Sequence, residues 1–505
     1  MKKYFHFIFI LALLLPISTI ADDLPELGDV SQATITPRQE RQLGYQIMRQ
    51  IRADPSYLDD PEITSYLNNL GRRLLSTSNE TQPGQSFEFF ALQDPTINAF
   101  ALPGGFMGFN SGLIIAAQSE SELAGVMAHE IAHVTQKHLA RMIAGQQHMG
   151  LISTIAGLAI AILASRSNPQ AGSAAIIASQ AAAIQSRLNF TRKHEKEADR
   201  IGFNILHRAG FDPHGMSAFF ERLQLAGRYR ENGAPSYLRT HPLTYERIAD
   251  IESRMRELPY RQIPDSIDFH LVRAKLKAAL GNSTDTVAQF DSRIHDKRYS
   301  NELAERYGLI YALLRDKRFK RAEKELESLY QKMQSDPTIK NLRNHPLGDL
   351  ILIESDYLQS GAMIDTLAAR VKIANKQIPD AFKLYQAALK TYPQHRALIY
   401  DYAAALLSHQ GPQAALNFIN KQSQVIHDDI HLYRLEAQCH SALGNHMLKH
   451  RAQAEIYIQE GKLHAAVEQL EIALRYSNGN FYQLSSVEAR LRQLKEFIAS
   501  FEEES

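Results

Sequence analysis

Apolar residues recur at helical spacing along most of this chain, and one short stretch breaks the rhythm. Ile63, Tyr66, Leu67, Leu70 and Leu74 lie three and four residues apart, which predicts the second of two amphipathic helices. Gly84 then marks a change to Phe87-Glu88-Phe89-Phe90, which reads as a strand. Two more strands are predicted at 97–102 and 106–115, joined by a turn at Pro103-Gly104-Gly105. A helix follows, opened by a capping box of Ser119 and Glu122 and running to about Met142. The run from Met149 to Ala164 carries no charge and is shorter than the ~20 residues of a membrane span. A lid, a membrane-leaning hairpin and a buried core helix are the readings it admits, the last favoured. From about residue 263 the pattern is helical almost throughout.

These later helices repeat. Ala381, Tyr385, Ala388, Leu389 and Pro393 have the offsets of the second helix of a tetratricopeptide repeat, and Ala415 and Ile419 follow at its 34-residue period. A further unit runs from Ala454 through Tyr457, Gly461 and Ala466 to Leu474, and a weaker one through Leu313, Phe319, Ala322 and Leu326. Such units bury their apolar faces only by stacking, so a curved solenoid that holds a protein partner is expected.

Composition narrows the class. The chain has 505 residues, 44% hydrophobic and 22% charged, which predicts several globular domains. A formal net charge of +1 gives no footprint for nucleic acid. Lys2 and Lys3 precede an uncharged run from Tyr4 to Leu15, and Thr19-Ile20-Ala21 offers small residues for cleavage, the layout of a secretory signal peptide. The lone cysteine, Cys439, excludes an internal disulfide and reads as helix filler. The expected organisation is a signal peptide at 1–21, a catalytic domain at 22–262 and the repeat array at 263–505. The fold class is mainly α: a first domain of helices plus a small sheet, followed by an α-solenoid.

The chemistry centres on His129-Glu130-Ile131-Ala132-His133. On a helix, residues four apart share a face, so two imidazoles can bind one zinc ion per chain. The metal acidifies a water, and Glu130 takes its proton. The continuation that would supply a third histidine is absent, since Gln136 and Leu139 stand where Gly and His are needed. The third ligand is sought in His194-Glu195-Lys196-Glu197-Ala198-Asp199, where Glu195 and Asp199 follow the apolar stripe of Ala198, Ile201, Ile205 and Leu206, and Glu197 points away. A carboxylate on a buried stripe needs a cation, so Glu195 is the better ligand, and Asp199 can accept the second N–H of a ligating histidine. His138 is read as structural or supporting. For Arg247, a surface charge is favoured over a carboxylate clamp.

His129-Glu130-x-x-His133, Glu195-x-x-x-Asp199 and Asn98-Ala99-Phe100-Ala101-Leu102-Pro103-Gly104-Gly105 together resemble the M48 family of zinc metalloproteases, over roughly Thr36 to Arg256. With the signal peptide and the repeats, the chain resembles the soluble, periplasmic side of that family. The resemblance implies zinc bound by His129, His133 and Glu195, with Glu130 as the catalytic carboxylate. It also implies work on outer-membrane β-barrel proteins and their assembly machinery, by degrading stalled chains and helping others mature. A repeat-based chaperone or adaptor with a latent protease site is the alternative, and a peripheral membrane contact stays open. The family often carries a His-Pro at the place of His241-Pro242. His241 is expected to act as an oxyanion donor or as a latent fourth ligand, the latter favoured at rest.

Overall fold

The computed structural model describes residues 36–78, 85–145, 192–228, 236–256, 258, 263–335, 354–476 and 481–503. The expected signal peptide at 1–21 and the uncharged run at 149–164 lie outside them. Thr36 opens α1 (Pro37–Ala53) with a reciprocal capping box to Gln39. Asp60 caps α2 (Pro61–Leu75) through the N–H groups of Glu62 and Ile63, and the predicted stripe from Ile63 to Leu74 is buried. Strands β1 (Glu88–Leu92), β2 (Ala99–Leu102) and β3 (Phe106–Asn110) form one sheet in the order β1-β3-β2. β1 runs parallel to β3 and β2 antiparallel, so β2 is an edge. The turn Pro103–Gly105 is a short 3-10 segment with left-handed Gly104 and Gly105 (φ 75° and 84°).

Two boundaries differ from the pattern. The third strand stops at Asn110, and Ser111–Ala116 is helix α3. Here Ser111 and Gly112 bond the Asp94 carbonyl, and a Cβ on Gly112 would sit 2.2 Å from the Pro95 oxygen, so the chain bends away. Periodicity does not distinguish a fully buried helical turn from a strand. The motif helix α4 (Glu120–Thr135) likewise ends before the expected Met142. Lys137 turns left-handed (φ 52°), and α5 (His138–Gly145) starts afresh, without a Gly or Pro to announce the break.

α4 is buried almost all round, which its weak amphipathic pattern foretells. It is gripped by α6 (Arg192–Arg208) and α7 (His214–Arg228). Contact with α6 is backbone-close: a Cβ on Gly202 would lie 3.0 Å from the His129 nitrogen. Ser119 caps α4, whereas Glu122 reaches one residue further back, to the Gln118 N–H, and pairs with Arg222. Two short helices follow, α8 (Ser236–Thr240) and α9 (Tyr245–Met255).

The remaining described elements are all helices: α10 (Ile267–Ala279), α11 (Ser283–His295), α12 (Glu302–Arg315), α13 (Phe319–Ser335), α14 (Glu354–Ala374), α15 (Ile378–Thr391), α16 (Arg396–His409), α17 (Pro412–Ser423), α18 (Ile430–Ala442), α19 (His446–Gln459), α20 (Leu463–Arg475) and α21 (Phe481–Glu503). From α14 onward each packs on the next. The small residues of the repeat pattern, Ala381, Ala388, Ala415, Ala454 and Ala466, are buried where helices meet, and so is Cys439. One apolar core runs without interruption from α2, the sheet and α4 into α10, α12 and α14. Lys275 of α10 lies buried at that junction, 2.6 Å from Glu62 and 2.5 Å from Asp60.

Candidate active site

Three elements bring the predicted residues together. α4 projects His129 and His133 to one side, α6 presents Glu195 and Asp199 across the Gly202 contact, and the turn after α8 carries His241 in from a third direction. All five are at most 3% exposed. His129 Nε2 and His133 Nε2 are 3.0 Å apart. The Glu195 carboxylate stands 3.5 Å from the first and 3.4 Å from the second. His241 Nδ1 lies 3.4 Å from His129 Nε2 and 3.0 Å from Glu195 Oε1. Four donors ~2.0–2.1 Å from one zinc ion would be about 3.3–3.4 Å apart at tetrahedral angles, so the set has the right span for a metal. The four candidate ligand atoms all lie within 4.8 Å of one another. Two buried nitrogens that face each other beside a carboxylate are poorly satisfied without a cation. The residues therefore fit the group.

The surroundings fix each candidate ligand. His129 Nδ1 is 3.0 Å from Asp199 Oδ1, as the sequence predicts for Asp199. Burial disfavours a charged His129, but Asp199 and Glu195 outweigh it and push the ring up to about 9. For His133 burial dominates, helped by the neighbouring His129, and brings it down to about 3. Glu195 is held well below the usual carboxylate range: burial opposes this, and His241, His129 and His133 overcome it.

Arg247 corrects the surface reading. It is 2% exposed and clamps both Asp199 oxygens at 2.6 and 2.7 Å. Its third nitrogen reaches Glu195 at 2.8 Å and the Pro242 carbonyl at 2.8 Å. His138, placed by the break after Thr135, meets His133 Nδ1 at 2.9 Å. With His133 Nε2 facing the centre, its Nδ1–H donates to His138, and His138 Nε2–H then donates to Glu197, 3.2 Å away. Glu197 does turn from the metal face, yet it supports the site through His138 and Arg141.

Glu130 is wholly buried; neither carboxylate oxygen meets strict hydrogen-bond geometry with a described residue, although the Tyr237 hydroxyl is near enough to favour its charged form. His241 Nε2 stands 3.5 Å from its Oε1. Burial raises its carboxyl above the ordinary range. Tyr237 was not foreseen. Its ring stacks on His241, with centroids 4.7 Å apart, and packs beside Phe220.

Residues 61–255 match Peptidase family M48, and residues 372–439 match the tetratricopeptide repeat. The beta-barrel assembly-enhancing protease of Escherichia coli (strain K12) is 32% identical over 485 residues, covering 95% of this chain and 93% of that protein. This chain belongs to the M48 peptidase family. It is a metalloprotease with a tetratricopeptide-repeat array. A putative beta-barrel assembly-enhancing protease of Vibrio cholerae is 41% identical over 309 residues, 61% of this chain and 63% of that protein. The mitochondrial metalloendopeptidase OMA1 of Schizosaccharomyces pombe is 32% identical over 194 residues, 38% of this chain and 53% of that protein. No helix among the described residues is long and apolar enough to cross a membrane.

Proposed function

We infer that this M48 protease is a periplasmic zinc endopeptidase that degrades misfolded outer-membrane β-barrel proteins, assists the maturation of others, and rests in a latent state. The observation that carries the reading is the convergence of His129, His133, Glu195 and His241 beside a wholly buried Glu130. Relatives named for β-barrel assembly, matched over nearly the whole chain, support the substrate class. The secretory layout of residues 1–21 supports the compartment.

When bound, zinc supplies Lewis acidity that acidifies water and polarises the scissile carbonyl. His129, His133 and Glu195 would hold it. Asp199 and His138 fix the tautomers of the two histidines, and Arg247 keeps the carboxylates in place. Glu130 accepts the proton of the attacking water and passes it to the leaving amine. A carboxyl raised by burial suits a group that must both take and return a proton. β2 ends the described sheet and packs on the motif helix α4, so its outer edge can align an extended peptide by strand addition.

His241 Nδ1 sits among the ligand atoms, which supports the latent fourth ligand over the oxyanion donor for the resting enzyme. It also gives weight to a chaperone or adaptor role between proteolytic events. Zinc content and casein cleavage on wild type, Glu130→Gln and His241→Ala test the reading. Glu130→Gln should keep one zinc and lose cleavage. If His241 is bound in nine-tenths of molecules, its removal raises the rate about tenfold. A fall of ~10²–10³ in His241→Ala would instead mark an oxyanion donor. Near-wild-type casein turnover by Glu130→Gln would remove the mechanism.

A further inference from the structure

A backbone hydrogen bond ties the turn that carries His241 to the β2 edge. β2 pairs with β3 so that Asn98, Phe100 and Leu102 stand opposite Asn110, Gly108 and Phe106, and the Asn98 carbonyl accepts from the Asn110 N–H at 3.0 Å. Hydrogen-bonded and non-hydrogen-bonded pairs alternate in an antiparallel ladder. Residues 97, 99 and 101 therefore direct their N–H and C=O groups outward. The Ile97 carbonyl, first in that outward row, is already taken: the Tyr237 N–H donates to it at 3.2 Å. The next link runs through the same residue. The Tyr237 carbonyl accepts the His241 N–H at 2.9 Å, and the Tyr237 ring lies over the His241 imidazole with 26° between their planes.

We propose that Tyr237 is the positioning residue that holds His241 among the metal ligands and releases it when an extended peptide takes the Ile97 carbonyl. A strand that pairs along β2 and extends to residue 97 takes that acceptor. Its arrival breaks the Tyr237 tie, and α8 then loses its anchor to the sheet. The stacked imidazole moves with the tyrosine, because their rings and backbones are joined. Substrate would thus open the site that it is about to use, and an empty edge keeps the site closed. This also explains why a five-residue helix, α8, carries a wholly buried aromatic ring whose hydroxyl bears on Glu130. The coupling rests on the latent role of His241 proposed above.

The test uses the full zinc-loaded chain with Glu130→Gln, and β-casein as the extended probe. Amide exchange is measured with and without casein. Residues 99–102 should exchange more slowly, and residues 236–241 about tenfold faster. Protection of 99–102 with no change, or slowing, at 236–241 overturns the coupling, as does casein binding that leaves 99–102 untouched. In the active chain, Tyr237→Ala should raise resting casein cleavage severalfold, and Tyr237→Phe, which keeps the ring, should restore most of the restraint. Tyr237→Ala should add nothing in a His241→Ala background, since both act on one contact. If His241→Ala itself fails to raise the rate, the latency reading falls. If it raises the rate while Tyr237→Ala and the exchange at 236–241 do not respond, only the coupling falls.

Discussion

Glu195 and Glu197 sit two residues apart and serve the site at different distances. Glu195 faces both metal-site histidines, whereas Glu197 accepts from His138 and Arg141 behind them. Glu195→Gln should therefore lower zinc affinity strongly. Glu197→Gln disturbs only a supporting hydrogen bond, so its loss should stay near the lower end of the ~10–100-fold typical of such partners. Zinc titration of both variants checks this, and equal losses would contradict the assignment. The distinction between the two glutamates was legible in the sequence, because helical phase separates them. The motif histidines were legible for the same reason. Arg247 was not: its helix shows no reason for a buried guanidinium until two carboxylates from another helix meet it. Tyr237 carries no local signal at all. His138 has the supporting place expected of it, but its contact with His133 is not legible in the pattern, because an unbroken helix would aim it away and the left-handed Lys137 redirects it.

Helix α4 and helix α6 place the candidate ligands by close approach, and Gly202 permits it. An added methyl there would meet the backbone of Ala128 and His129 at 3.0–3.1 Å, where no side chain can swing aside. Gly202→Ala should push the two helices apart. Overpacking of this kind costs about 1–3 kcal/mol, and the melting temperature should fall accordingly. Because the helices carry different ligands, zinc affinity should fall with it. An unchanged melting temperature would show that the contact is looser than it appears. Elements of this kind were mostly readable in advance: the α2 stripe, the α4 cap and the repeat helices all follow from spacing. Strand β3 and the end of α4 were read too long, since their boundaries are set by tertiary approach and a single backbone conformation. Neither leaves a mark in hydrophobic pattern.

The repeat array is fastened to the protease part at both ends by different means. At its start, α10 shares the apolar core and buries Lys275 against Glu62 and Asp60. Its middle is held by the Gln359 side chain, which donates to the Glu62 carbonyl and accepts from Asn69. Towards its far end the contacts are polar and partly exposed. Arg49 of α1 donates to the Gly461 carbonyl at 2.8 Å, and Asp59 meets His431 at 3.0 Å and Arg434 at 3.1 Å. The repeat offsets foretold the array but not this embrace, which joins residues hundreds of positions apart. The two ends should respond differently to mutation. Lys275→Ala strands buried carboxylates and should cost roughly 3–5 kcal/mol of stability, with the protease part and the first repeat helices melting together. Arg49→Ala with Asp59→Ala removes only exposed pairs, each worth about 0–1 kcal/mol, so melting should barely move. The array should instead swing outward, and the radius of gyration in solution scattering should rise. Acid should act in the same direction. Burial opposes ionisation of Asp59, yet His431 and Arg434 hold its carboxyl below the ordinary range. A depressed carboxyl contributes its stability above its unfolded value of about 4 and loses it as pH falls through the folded value. Opening should therefore appear below about pH 4 in wild type and be absent from the pH response of Asp59→Ala. A radius that stays fixed in the double variant, with melting also unchanged, would place the closure of the array in its apolar start alone.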